Sequence, residues 1–151
     1  MELVLRPVTI EDADILLEWA NDKETRAASF NHDAITMDTH LPWLKKKLSD
    51  ENTFFYLACV DENPVGSIRL DKDDETGAFV ISYSIGCKYR GQGLGNDILE
   101  CIEEKAKTII PGNTLVGEVL IGNLASQKCF INNGYEEIDR TDEKIVYSKK
   151  I

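Results

Sequence analysis

Apolar and polar positions alternate with period two in some stretches of this chain and recur with a helical period in others. The switches between the two mark the elements. Residues 3–8 alternate and read as a strand. Thr9 then caps a helix to about residue 20, with Asp12 in the capping-box position and apolar residues at 13, 15, 16, 17, 19 and 20. Residues 21–31 read as a short helix and a loop. A further helix spans about 38–48, with Thr36 near its start. Residues 54–60 and 65–70 form a hairpin about the turn Asp61-Glu62-Asn63-Pro64. A polar turn over 71–77 leads into an apolar strand, 78–85, and a long amphipathic helix follows from 94 to about 110. Pro111-Gly112-Asn113 breaks the chain before a strand at 115–121; a helix at 124–132 and a closing hairpin (135–141 and 145–149) complete the pattern. With no internal repeat and no linker, residues 1–151 read as a single domain. Its expected class is α/β (α+β): a mixed, mainly antiparallel sheet flanked by helices.

Between the strand at 78–85 and the long helix stands Arg90-Gly91-Gln92-Gly93-Leu94-Gly95. A strand, a glycine-rich turn and a helix start together leave backbone N–H groups free at the positive end of a helix dipole, a site for phosphate or pyrophosphate. Glycines at 91, 93 and 95 remove the side chains that would keep a phosphate from the amides. Arg90 adds a charge at the rim. A dinucleotide-binding turn wants G-x-G-x-x-G after the first strand of a βαβ unit, and a nucleotide P-loop ends in Gly-Lys-Ser/Thr; neither matches. A plain glycine-rich turn is disfavoured, because three glycines in five residues cost entropy that an ordinary turn does not require.

The pattern Arg/Gln-x-x-Gly-x-Gly over Arg90 to Gly95 resembles the acyl-CoA pyrophosphate loop of the GNAT N-acetyltransferases. A second segment resembles the same family: Gly117-Glu118-Val119-Leu120-Ile121-Gly122-Asn123, then Leu124-Ala125-Ser126 and onward through Phe130 to Gly134-Tyr135. Arg6-Pro7 with Thr9, Glu11, Asp12 and Ala13 is similar to the family's opening strand and helix. The resemblance implies the GNAT fold, with splayed central strands holding acyl-CoA, and transfer of an acetyl group from acetyl-CoA directly to a primary amine. It implies no metal. Backbone groups at Ile85, Gly86 and Cys87 would bond the pantetheine arm; Gly91, Gln92, Gly93, Leu94 and Gly95, with Arg90, would hold the pyrophosphate; Asn123, Ser126 and Phe130 would complete the cofactor site. Asn123 also suits a helix N-cap, and both roles can coexist. Tyr135 is expected to pack.

Composition narrows the alternatives. A chain of 151 residues can bury a proper core, and 42% apolar with 29% charged residues is a globular balance. No stretch is long enough to cross a membrane, and no secretory signal is expected. Four cysteines without a C-x-x-C pair argue against zinc and redox motifs, and a reducing cytoplasm is the expected location. A net charge of −10 makes nucleic acid an unsuitable partner. Monomer and homodimer both remain open.

Acetyl transfer needs a deprotonated amine, a donor for the oxyanion and, to a lesser degree, a proton for the departing thiolate, whose thiol pKa is roughly 8.5. Glu118, five residues before Asn123, occupies the spacing at which ribosomal-protein N-terminal acetyltransferases resemble this chain and carry their catalytic glutamate; an outward-facing, ion-paired glutamate is the competing reading. Many GNAT proteins place a proton-donating tyrosine seven residues after the asparagine. Here that residue is Phe130, so the proton must come from elsewhere, with Ser126, Cys129 and water as candidates.

For the acceptor, Asn21-Asp22 followed by Arg26, then His40 and Trp43, is similar to N-acetyltransferases acting on nucleotide-linked amino sugars. Arginine can fork onto a phosphate and an aromatic ring can cover a sugar face. His40 as a capping or surface residue and Trp43 as a core anchor are equally open, and Trp19 is expected in the core. The acceptor that this resemblance implies is a small-molecule amine such as a UDP-amino sugar. The alternatives are a protein N-terminus or other small amine, and a non-catalytic acetyl-CoA-binding module.

Overall fold

The computed structural model describes residues 2–151, and one seven-stranded sheet runs through them. Its strands are β1 (Leu3–Pro7), β2 (Thr53–Val60), β3 (Asn63–Lys72), β4 (Phe79–Ile85), β5 (Thr114–Leu120), β6 (Glu136–Arg140) and β7 (Lys144–Lys150). The helices are α1 (Ala13–Ala20), α2 (Lys23–Ala27), α3 (Met37–Ser49), α4 (Leu94–Ile109) and α5 (Leu124–Asn132). The spatial order is β1-β2-β3-β4-β5-β7-β6, antiparallel throughout except for the β4/β5 pair. This is the expected mixed, mainly antiparallel sheet.

Alternation along the strands supplies two apolar faces. On β2, Tyr56 and Ala58 join Ile68, Leu70 and Ile81 under α4, whose Ile98, Leu99, Ile102 and Ala106 form the buried stripe. Leu57 and Cys59 face the other way, against Leu16 and Trp19 of α1 and Leu44 of α3. Trp19 is a core residue, as its helical spacing predicts.

Two local departures have plain causes. The first helix opens as a 3-10 turn at Ile10–Asp12 before α1, and the expected capping box is present: the Thr9 N–H donates to the Asp12 carboxylate at 2.8 Å. The β2–β3 hairpin turns on Asp61 and Glu62 alone, with φ of 51° and 69°, so β3 begins at Asn63 rather than at 65. Two consecutive left-handed residues match the twist of a two-residue hairpin, and Pro64 is tolerated inside the strand because the register shifts beside its partner Cys59.

Candidate active site

Strands β4 and β5 pair only at Phe79/Leu115, Val80/Val116 and Ile81/Gly117, then part. The ring of Phe130, from α5, is pressed against that last pair: a Cβ on Gly117 would lie 2.3 Å from its para carbon. Beyond Ile81 the β4 backbone keeps its bonds to β3 on one side; Gly86 N–H, for example, donates to the Val65 carbonyl at 2.8 Å. Alternation then turns the amides and carbonyls of Tyr83 and Ile85 toward the gap. This differs in detail from the expectation for residues 85–87. The Gly86 carbonyl is also engaged, by Tyr89 N–H, and Cys87 is an exposed residue of a 3-10 turn outside the cavity. Ile85 alone of the three lines it.

That cavity, about 540 Å³, runs along the free end of β4, the loop of residues 90–95 and the start of α5. Gly91 and Gly93 hold φ of 76° and 77°, a region that glycine enters without strain. Gly93 is the N-cap of α4 and no side chain caps the helix, so the amides of Leu94, Gly95 and Asn96 have no intrahelical acceptor. The loop and helix start therefore fit a pyrophosphate as the sequence suggests, with Gln92 exposed at the outside.

Arg90 is not a free cation. Its guanidinium donates to Asp22 at 2.6 Å, Glu24 at 3.0 Å and the Thr25 hydroxyl at 3.0 Å, and so ties the glycine loop to α2. The Arg90 hydrogen bond holds the Asp22 carboxyl below the usual carboxylate range, against a smaller opposing effect of burial. On α5, Asn123 is the helix cap: its side-chain oxygen accepts from Ser126 N–H at 3.3 Å, and it lines the cavity as well. Ser126 Oγ lies 2.9 Å from the Tyr83 hydroxyl. Phe130 is a correction to the expected cofactor set. It is 2% exposed, stacks on Tyr147 and meets Tyr135 edge-on, and belongs to the core rather than to the cavity wall.

A second cavity of about 510 Å³ adjoins the first, and Thr25, Ser29, Tyr83 and Ser84 line both. Arg26, His40 and Trp43, which the sequence singles out, all line it. Their roles differ from those expected. Arg26 donates to the carbonyls of Asn31 and Asp33, both at 3.1 Å, so its fork is engaged in shaping the loop after α2. His40 is buried, with Nε2 3.1 Å from the Ala13 carbonyl, joining α3 to α1. The Trp43 ring is covered by His40 at 5.7 Å and by the Arg69 guanidinium at 4.9 Å. Sequence reasoning missed Arg69 and Tyr83: both sit in ordinary strand alternation, and only the sheet register brings them to the cavities.

Glu118 lines neither of these cavities. Alternation on β5 puts it on the opposite sheet face from Gly117, in a third cavity of about 570 Å³, where it is paired with Lys144 and 38% exposed. The partnership raises the Lys144 pKa, and the ammonium lies 5.9 Å from the Phe30 ring. Among the described residues, no cluster of three or more His, Cys, Asp or Glu side chains is placed to hold a metal ion.

The acetyltransferase (GNAT) domain profile matches residues 2–136, most of the chain. The chain belongs to the GNAT acetyltransferase family. As a member it is an acetyl-CoA-dependent N-acetyltransferase with acetyl-CoA as co-substrate. Solved structures share the GNAT fold at low identity. A domain from Methanocaldococcus jannaschii matches with TM-score 0.84 and 18% identity, covering 99% of each chain. The acetyltransferase AAC(6')-Ib, solved with ribostamycin and coenzyme A, matches with TM-score 0.83 and 19% identity over 98% of this chain and 92% of its own. An N-acetyltransferase from Staphylococcus aureus Mu50 matches with TM-score 0.83 and 17% identity over 99% of each. Comparison with curated protein sequences finds no match. No described helix of this GNAT protein is long and apolar enough to cross a membrane.

Proposed function

We propose that this GNAT protein acetylates the amino group of a nucleotide-linked amino sugar. The observation that carries the reading is the chemistry of the second cavity. Its wall offers hydroxyls from Thr25, Ser29, Thr39, Ser67, Ser82 and Ser84, two guanidiniums from Arg26 and Arg69, and the rings of Trp43 and Phe55. Among the described residues lining it there is no carboxylate. A polycationic acceptor such as an aminoglycoside would enter without counter-charge, which disfavours it strongly in a confined site. A sugar carrying phosphates meets hydroxyl partners and positive charge instead. Arg69 is partly neutralised by Asp71 at 2.5 Å, but its guanidinium keeps further N–H donors beside Trp43.

The reaction fits a site with little acid–base machinery. An amine flanked by electron-withdrawing oxygens is less basic than lysine, so more of it is neutral near pH 7. Positioning against the thioester then supplies much of the rate. Glu118 lies in the third cavity, paired with Lys144, so as the base it takes the proton only through water that leads from the acceptor into that cavity.

Thiol release from acetyl-CoA across a panel tests this: a UDP-linked amino sugar, the free amino sugar, an aminoglycoside and a peptide with a free N-terminus. The nucleotide-linked sugar is expected to give the highest kcat/KM, and Glu118→Gln to lower kcat about 100-fold. An aminoglycoside or peptide giving the highest value would sink the acceptor assignment; an unchanged kcat in the variant would remove Glu118 from the mechanism.

A further inference from the structure

We propose that Tyr83 is the catalytic acid that protonates the departing thiolate. Four residues line both cavities, and acyl transfer must occur where cofactor and acceptor meet. Three of them, Thr25, Ser29 and Ser84, are aliphatic alcohols and very weak acids. Tyr83 carries a phenol, with an ordinary pKa of roughly 10. It projects from β4 two residues beyond the last β4/β5 pair, where the strands have parted. Its ring meets Phe130 edge-on at 6.1 Å, which fixes its direction, and its hydroxyl ends between the start of α4, beside Gly95, and Ser126 of α5.

Burial, the largest influence on this phenol, pushes its pKa upward, which keeps it protonated throughout the working range but also weakens it as an acid, so the proton moves only as the C–S bond breaks. The bond to Ser126 gives it a supply. With the Ser126 hydroxyl donating across the 2.9 Å contact, the Tyr83 hydrogen is left to point toward Cys129 and the cavity it lines. The neutral amine attacks the thioester carbonyl, and the adduct's N–H proton leaves through water to Glu118. As the adduct collapses the C–S bond breaks and its electron pair goes to sulfur. The Tyr83 proton passes to sulfur, giving the free thiol of CoA. Tyr83 takes the Ser126 proton, and solvent at the cavity mouth restores that one. Glu118 releases the proton it took to solvent, so the products are the amide and CoA thiol, with no net change in the protein.

Cys129 is the competing donor in the same wall. Its sulfur packs between α5 and α4, 2.9 Å from where a Cβ on Gly95 would sit, and burial raises its pKa. It is the weaker hydrogen-bond donor of the two but ordinarily the stronger acid, so the Cys129→Ala variant decides between them.

The proposal rests on acetyl transfer and not on which amine accepts, so it is tested with whichever panel amine reacts fastest and, separately, with thiol release to water. Two thioesters are compared: acetyl-CoA, and an analogue with two fluorines on the carbon one removed from sulfur, which lowers the thiol pKa. Tyr83→Phe, which keeps the ring on Phe130, is expected to reduce kcat with acetyl-CoA about 100-fold, the low end of the range for acid catalysis because a thiolate already leaves fairly well. Its acetyl-CoA affinity by calorimetry should stay within about threefold, and the fluorinated thioester should recover most of the lost rate. An equal loss with both thioesters means a packing role and overturns the proposal, as does full activity in Tyr83→Phe or the same leaving-group-dependent loss in Cys129→Ala. Should Tyr83→Phe fail to fold, Ser126→Ala is read in the same way: a loss rescued by fluorination supports the relay, and an unrescued loss or none refutes it.

Discussion

Replacing Gly117 by alanine puts a methyl carbon where the ring of Phe130 already lies. The new Cβ would stand 2.3, 2.4 and 3.0 Å from three ring carbons, against an ordinary contact of 3.4 Å or more. The ring must retreat by about 1 Å, and it has little room: it is 2% exposed, parallel to Tyr147 at 5.5 Å and edge-on to Tyr135 at 4.9 Å. Overpacking a core of this kind costs about 1–3 kcal/mol. Each disturbed aromatic pair adds up to about 1 kcal/mol. A total near 3 kcal/mol lowers Tm by about 6–12 °C in a domain of this length. Gly117 is also the last residue of β5 paired to β4, so the same substitution should weaken acetyl-CoA binding by disturbing the point where the strands part. Thermal unfolding of Gly117→Ala, Phe130→Leu and the double variant separates the causes. The smaller leucine side chain gives the methyl group space, so the double variant should be less destabilised than the sum of the two single changes. A Gly117→Ala protein melting within about 1 °C of the parent would refute the packing argument.

Two further outcomes follow from the same geometry. Gly93→Asp forces an L-residue to φ near 77° and sets a carboxylate beside the amides of the α4 start; acetyl-CoA affinity by calorimetry should fall at least tenfold, about 1.4 kcal/mol, and unchanged affinity would mean that the loop is only a turn. Asp71 is raised by burial but lowered further by Arg69, Lys47 and Thr53, and its net pKa lies below the ordinary range; for a depressed carboxylate the stabilisation is complete above the unfolded value of about 3.9 and disappears as pH falls through the folded value. Asp71→Asn should therefore cost about 1.5–3 kcal/mol at pH 7 and at pH 5 alike, with the gap to the parent closing only below about pH 4, so a gap that closes between pH 7 and 5 would contradict the assignment.

The sheet and helices were legible because each carries its own period: the stripe of α4, the alternation of β2 and the glycines before α4 are local features. The β2–β3 turn was misplaced by two residues because two non-glycine residues adopt left-handed conformations there, which tertiary pairing imposes and propensity does not reveal. The candidate site was legible as a loop and less so as a set of side chains. Arg90 and Arg26 looked like free cations in sequence, and both turn out to be engaged, one by carboxylates 66 and 68 positions away and the other by carbonyls of its own loop. Phe130 was right as a residue unable to donate a proton and wrong as a wall of the cofactor site. Its destination was set by Gly117, thirteen positions earlier, whose missing side chain is what lets the ring reach the sheet.

The engaged arginine at position 90 links the two halves of the site. Asp22 accepts from Arg90 and from Thr25 N–H at once, so the cap of α2 and the rim of the glycine loop share one carboxylate. Thr25 and Ser29, on and just after α2, form part of the wall common to both cavities, and Arg26 between them holds the loop at 29–33 against the second cavity. An anion settling on the amides of Leu94 and Gly95 approaches the same guanidinium that positions α2. Because the cluster is partly buried, with Arg90 29% and Asp22 20% exposed in their side chains, salt screens it less than an open surface pair. The cofactor loop and the acceptor wall are thus connected by this ion-paired cluster as well as by β4, whose Tyr83 and Ser84 line both cavities. Tyr83, the group argued to finish the reaction, stands in that common wall with Thr25, Ser29 and Ser84.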